Sequence, residues 1–349
     1  MQHEAIVGWD LGGAHIKSAR LDGGGCVETV VQLPCPLWQG LEWLESGIDS
    51  VLESIGDCSG LRHAVTMTGE LVDLFPDRAS GVKSLIEVMS RRFPTAMLSI
   101  YGGQAGFLKP DMAVDRALQV ASANWLATAS LVAGRLPEGV LIDVGSTTTD
   151  LIPFADKQVL TCDTNDHQRL VGQSLIYTGV VRTPLMAITD KAPFAGEWVY
   201  LMAEHFATTA DIYRLLGQLP EGTDLLPSAD GGVKSPTGSA RRLARMLGLD
   251  ADATDFEGWR KVSGYIAEQQ LRQIEDACAR MLSRPGLSDS APLIGAGVGR
   301  FLVERICQRL NRPYVGIETL FSCAREQASK AAECAPAVAV ASLAWGDAA

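Results

Sequence analysis

The chain has 349 residues, is 47% hydrophobic and 20% charged, and carries a net charge of −11. That length favours two domains over one. The apolar share supports a packed core and excludes a disordered chain, and the acidic balance argues against nucleic-acid or acidic-membrane binding. No apolar run reaches membrane-spanning length. The start, MQHEAIVGWD, lacks the basic stretch of an export signal. Eight cysteines, at 26, 35, 58, 162, 278, 307, 323 and 334, include no C-x-x-C pair and read as free thiols of a reducing cytoplasm.

In chain order, AIVGWDLG and HIKSARLD read as two strands joined at Gly12-Gly13, and CVETVVQL is a third after Gly23-Gly24-Gly25. Trp9 alternates away from Asp10 and reads as core. Apolar residues at helical spacing from Leu41 to Ile55 predict a helix. HAVTMTGEL is a strand entering a turn, residues 81–93 a helix, and AMLSIYG a strand. Met112 to Ala133 reads as one long Ala-rich helix ending at Gly134.

The opening pattern then returns. GVLIDVGSTTTDLIPFADKQVLTCD, residues 139–163, is strand, Asp-x-Gly, polar turn, strand, turn, strand. This duplicates a supersecondary unit at domain spacing. Residues 164–235 read as an irregular insertion, and 237–247 and 258–283 as helices. APLIGAGVGRFLVERICQRL is strand, Gly-rich turn, helix, and 326–345 is a helical tail that Pro336 breaks or restarts.

The two Asp-x-Gly turns carry the chemistry. WDLGGAHIK supplies Asp10, Gly12, Gly13, Ala14, His15 and Lys17. IDVGSTTTD supplies Asp143, Gly145, Ser146, Thr147, Thr148, Thr149 and Asp150. A glycine hairpin exposes backbone N–H groups which, with Ser and Thr hydroxyls, form an anion cradle. An aspartate at a strand end is a hard-oxygen ligand, so Asp10 and Asp143 are the candidate Mg²⁺ ligands. Each hairpin alone also reads as an ordinary turn, and the duplication favours the site. Gly295 and Gly297, opening a helix in third place, suit a phosphate at a helix N-terminus.

That order of three motifs resembles the actin, sugar-kinase and chaperone-ATPase superfamily over nearly the whole chain. The resemblance implies an α/β, actin-like ATPase (ASKHA) fold, with two ribonuclease-H-like domains facing a central cleft. It divides the chain into 1–135 with 326–349, and 136–325 bearing the insertion. MTGELVDLF, GVVRTPL, EHFATTADIYRLLG, SADGGVKS and LIGAGVG look like the hydantoinase and oxoprolinase-related branch.

Within it, a single chain of this size resembles the methanofuran-biosynthesis transferases, also labelled tetrahydromethanopterin-linked one-carbon proteins. That likeness implies a small-molecule diphosphate donor, 5-(aminomethyl)furan-3-ylmethyl diphosphate. It also implies a phenolic acceptor built on tyramine or tyrosine, Mg²⁺, and pyrophosphate leaving. The clear catalytic Asp of the sugar kinases is not recognisable by spacing. Glu70, Asp211 and Asp230 are candidate bases. Lys17 is the candidate cation for the leaving group. Thr68, Arg182 and Lys234 are candidate substrate contacts, Arg182 as a carboxylate clamp.

Three alternatives stay open. An ATP-dependent small-molecule kinase would put ATP in the same cradle. A hydantoinase-like ATP-dependent amidohydrolase would do so too, on usually longer chains. A nucleotide-sensing regulator would turn nothing over.

Overall fold

The computed structural model describes residues 4–56, 58, 60–161, 163, 165–251 and 256–347. Strands β1 (Ile6–Leu11), β2 (His15–Leu21) and β3 (Val27–Pro34) form the expected meander, followed by α1 (Leu41–Ile55). Next come β4 (Arg62–Met67), α2 (Arg78–Arg92), β5 (Leu98–Tyr101) and β6 (Phe107–Leu108). The second helix starts ahead of the expected residue 81 because the Asp77 carboxylate accepts from the Ser80 N–H and caps it.

The expected helix over 112–133 is three pieces, α3 (Pro110–Asp115), α4 (Ala117–Val120) and α5 (Asn124–Arg135). Its alanines favour one helix, but Arg116 leaves helical geometry between α3 and α4, and Ser122 at φ 52° separates α4 from α5. Tertiary bonding of the Ser122 hydroxyl to the Glu70 carboxylate overrides propensity there.

Then follow β7 (Glu138–Val144), β8 (Thr149–Ala155) and β9 (Gln158–Val159), and α6 (Asp166–Gly172) and β10 (Leu175–Ile176). Residues 164–235 are more regular than expected. They also hold the hairpin of β11 (Lys191–Phe194) and β12 (Glu197–Tyr200), and α7 (Thr209–Leu215). Ala195 and Gly196 both have positive φ there, as a two-residue hairpin turn requires.

The remainder is α8 (Pro236–Met246), α9 (Phe256–Leu282), β13 (Leu293–Ala296), α10 (Arg300–Leu310), β14 (Tyr314–Gly316), α11 (Ala328–Glu333) and α12 (Ala335–Gly346). Pro336 lies in the first turn of α12, where its missing N–H costs nothing, so it starts a helix.

One six-stranded sheet has the order β3-β2-β1-β4-β5-β6, and a second runs β10-β8-β7-β13-β14 with β9 on β8. In the first, β1 pairs antiparallel with β2 and parallel with β4. The contacts divide the chain into two compact units. One holds Met1–Leu141, Ile152–Gly172 and Val315–Ala349, and the other Ile142–Leu151 and Gln173–Tyr314.

In the first unit every residue of β1 is buried, because helices cover both faces of the sheet. Trp9, Leu11 and Ile16 pack with Leu44, Ile48 and Leu85 on one face. On the other, α12 lies against β1, β2 and β4. Residues 335–341 of α12 are all buried, as befits a helix that is apolar all round. In the second unit α9 packs on β11 and α7, and α10 on β13. Among the described residues, no helix is long and apolar enough to cross a membrane. Seven of the eight cysteines are described, and all seven are free thiols; Cys162 lies outside the described residues.

Candidate functional site

The two hairpins close with the same bond. In the first unit the Gly12 N–H donates to the His15 carbonyl at 3.0 Å; in the second the Gly145 N–H donates to the Thr148 carbonyl at 2.9 Å. The duplication read from the sequence is therefore a duplication of turn geometry.

In the first hairpin, Asp10 and Lys17 are directly opposed on β1 and β2, so their side chains share a face. Asp10 is 4% exposed, and the Asn124 amide approaches its carboxylate at 3.5 Å. Leu37 and Cys35 N–H groups hold the Gly13 and Ala14 carbonyls, which fixes the turn. The Thr68 N–H donates to the Leu11 carbonyl, tying the residue after β4 to the end of β1.

In the second hairpin the GVVR segment clasps the polar turn. Val180 N–H donates to the Gly145 carbonyl, and Val181 and Arg182 N–H groups donate to that of Ser146. Gly179 must be glycine, since a Cβ there would stand 2.5 Å from Ser146 C and Thr147 N. Beneath it, the Gln270 amide and the Thr209 hydroxyl both donate to the Gly179 carbonyl at 2.8 Å.

Ser146, Thr147 and Thr148 are half-buried. Thr149 is turned inward and donates to the Thr178 carbonyl at 2.7 Å, so its hydroxyl belongs to the support and not to the cradle. Gly297, at φ 79°, lets the third glycine loop lie against the end of β7, where a Cβ would come 2.3 Å from an Asp143 carboxylate oxygen. The Gly299 N–H donates to the Val144 carbonyl. A side chain at Gly295 would meet the Tyr314 ring.

No group of three or more His, Cys, Asp or Glu side chains with metal-site geometry occurs among the described residues. Asp10 and Asp143 are single hard-oxygen donors beside glycine turns. Each by itself has the donor chemistry of a Mg²⁺ ligand, since the ion takes one or two carboxylates when phosphates and water fill its other positions.

The candidates between residues 205 and 234 have other work. Asp211 completes a capping box with Thr208 at the start of α7. Its Oδ1 also accepts from Arg242 Nε at 2.9 Å and from the Ser239 hydroxyl at 2.8 Å. Asp211 and Arg242 are 4% and 1% exposed at their side chains, a buried ion pair. Asp230 accepts from the Gly232 N–H and pairs with Arg242 and Arg245, and Arg242 helps hold it below the usual carboxylate range. Lys234 donates to the Asp224 carbonyl at 2.6 Å and pairs with the Asp224 carboxylate. Donors from the protein itself thus occupy the carboxylates of Asp211 and Asp230. Burial pushes the half-buried Arg182 guanidinium down.

Glu70 is placed differently. It lies in the 3-10 turn after β4, 1% exposed, and burial pushes its carboxyl up. One oxygen accepts from the Ser122 hydroxyl at 2.8 Å; the other has no hydrogen-bond partner among the described residues. The same hydroxyl lies 3.3 Å from Asp166 Oδ2, which also accepts from Arg78 at 2.8 Å. Ser122 and Arg78 reach the wall of a cavity of about 740 Å³ inside the first unit. Ser122, Asp166 and Arg78 carry no sequence motif, because three separate elements bring them together.

The hydantoinase/oxoprolinase profile matches residues 62–345. A (4-{4-[2-(gamma-L-glutamylamino)ethyl]phenoxymethyl}furan-2-yl)methanamine synthase from Methanocaldococcus jannaschii is 28% identical over 88% of this chain and 89% of its own. The synthase of that name from Methanococcus vannielii is 34% identical over 32% of this chain and 50% of its own. A nucleotide-free acetone carboxylase structure superposes with a TM-score of 0.57 at 9% identity, over 97% of this chain and 70% of that one. The fold is that of the actin-like ATPases and sugar kinases, mixed α/β with two principal sheets. With 62–345 matched, the chain belongs to the hydantoinase/oxoprolinase family.

Proposed function

We propose that the protein is a transferase that makes an aryl ether. It joins the phenol oxygen of a γ-glutamyltyramine or tyrosine acceptor to the methylene carbon of 5-(aminomethyl)furan-3-ylmethyl diphosphate. The observation that carries this reading is the likeness, over nearly the full length of both chains, to a synthase named for a phenoxymethyl-furan product.

Such an ether needs a leaving group on the methylene. The C–O bond to the diphosphate breaks and its electron pair leaves with pyrophosphate. The phenol oxygen bonds the carbon, and the phenol proton passes to a carboxylate. The furan ring shares the positive charge that develops on the carbon.

Lys17 and the N–H groups of the glycine turns stabilise the leaving oxygens. The Ser146, Thr147 and Thr148 hydroxyls and the loop at Gly295 and Gly297 offer further phosphate contacts. Asp10 and Asp143 would hold Mg²⁺, which when bound neutralises charge on the diphosphate. Glu70 is the best-suited proton acceptor of the three candidate acids, since burial raises its basicity and one of its oxygens has no partner among the described residues. Arg182 is the clamp for a glutamyl carboxylate, and Thr68 lies beside the first turn.

The test is direct. Purified protein with Mg²⁺, the furan diphosphate and tyramine should release pyrophosphate and form an ether visible by mass spectrometry. Release of ADP from ATP in the presence of an alcohol, with no pyrophosphate from the furan diphosphate, would move the assignment to a kinase.

A further inference from the structure

The hydroxyl of Ser122 has one hydrogen and two carboxylate oxygens within reach, Glu70 Oε1 at 2.8 Å and Asp166 Oδ2 at 3.3 Å. Arg78 donates to that same Asp166 oxygen at 2.8 Å, so it already has a charged donor. The serine hydrogen therefore belongs to Glu70, the nearer oxygen and the one lacking a cation. A serine oxygen that donates its hydrogen keeps lone pairs for accepting another. Ser122 reaches the wall of the cavity in the first unit, so that acceptor is presented to whatever enters.

The backbone supports the same conclusion. Ser122 is a non-glycine residue at φ 52°, between the end of α4 and the start of α5. Such a conformation persists only where the surroundings over-determine it. Here it breaks a run of good helix formers and aims a hydroxyl. The cavity is of small-molecule size. Tyr101, Trp125, Leu118 and Leu126 supply apolar and aromatic wall, and Gln104 and Gln119 supply polar edge. A flat apolar body carrying an O–H donor matches that lining.

We propose that this cavity is a phenol site, in which Ser122 accepts the hydrogen bond of an aryl hydroxyl and relays the proton to Glu70. The aryl O–H bond breaks as its hydrogen moves to Ser122 Oγ. The original Ser122 hydrogen moves to Glu70 Oε1, the serine ends unchanged, and the pair left on the aryl oxygen is free to attack carbon. Burial pushes the Glu70 carboxyl up, and Asp166 beside it, paired with Arg78, adds to that rise. The identity of the aryl alcohol rests on the transferase reading above; the cavity and the relay rest on the geometry.

The experiment is a binding comparison on the full chain with two probes, tyramine and its O-methyl ether, by titration calorimetry. Wild type should bind tyramine about tenfold tighter than the ether, one hydrogen bond's worth. Ser122→Ala should erase that preference, with the melting temperature as a control on folding.

Leu118→Trp, at a wall position that is 72% exposed, tests the cavity without touching the relay. It should abolish binding of both probes, and it carries the test where S122A does not fold. Equal affinity of wild type for the two probes, a preference that survives S122A, or undiminished tyramine binding by L118W overturns the proposal. No diphosphate is present, so pyrophosphate release can survive such an outcome. Conversely, a chain that prefers tyramine through Ser122 yet releases no pyrophosphate overturns the transferase reading alone.

Discussion

Asp10 and Lys17 are direct cross-strand partners at the mouth of the first hairpin, a buried acid opposite the cation nearest the turn. If the pair serves a diphosphate, the two residues fail in different ways. Lys17→Met should lower kcat for pyrophosphate release about 100-fold, the typical effect of losing one donor to developing negative charge. Asp10→Asn should raise the Mg²⁺ concentration needed for half-maximal rate. Steady-state kinetics with magnesium titration checks both, and a D10N enzyme with unchanged magnesium demand would remove Asp10 from the metal.

Gly179→Ala tests the clasp over the second hairpin. The new methyl would press on the backbone of Ser146 and Thr147, which cannot swing aside as a side chain would. Overpacking of this kind costs about 1–3 kcal/mol. Urea unfolding should show that loss, and turnover should fall with it because the turn itself is displaced.

Asp211 and Arg242 should behave as architecture. Orphaning a buried charge costs about 3–5 kcal/mol; Arg242 keeps its second partner Asp230, so the loss here should fall below that range. Asp211→Asn should therefore lower the urea midpoint, while the fraction that stays folded turns over at close to the wild-type kcat. A D211N protein of normal stability and no activity would return Asp211 to the chemistry.

His63 makes the first unit acid-sensitive. It is 2% exposed, accepts from Trp9 Nε1 at 3.1 Å, and burial pulls its imidazole from 6.5 down to about 4. The unfolded chain then binds more protons than the folded one between those values. Stability from this group is full above pH 6.5 and is lost as pH falls toward 4. Unfolding free energy should drop by about 2 kcal/mol from pH 7 to pH 5 on this account. His63→Gln, which can still accept from Trp9, should flatten that drop in paired urea titrations.

Much of the fold was legible in the sequence because its signals are local. The alternation in HIKSARL, the helical spacing from Leu41 to Ile55 and the two Asp-x-Gly turns each specify their element within a few residues. The break at Ser122 was not legible, since alanines around it favour helix and the cause lies on Glu70, far away in the chain. Of the candidate acids, Asp211 sits three residues after Thr208, a spacing that marks a helix cap as readily as a site. The role of GVVRTPL as a clasp on the second turn was hidden for the same reason as Ser122. Its partners are backbone atoms of another segment, which leave no trace in residue type.

The last helix, α12, lies against β1, the first strand, nearly the whole chain away. During synthesis β1 must wait with one face of its sheet exposed until that helix emerges. Residues 173–314, by contrast, are contiguous and can condense early. Long-range closure of this kind is slow and leaves apolar surface open to aggregation. A protein shortened before Ala335 should therefore accumulate with its second unit ordered and its first unit open.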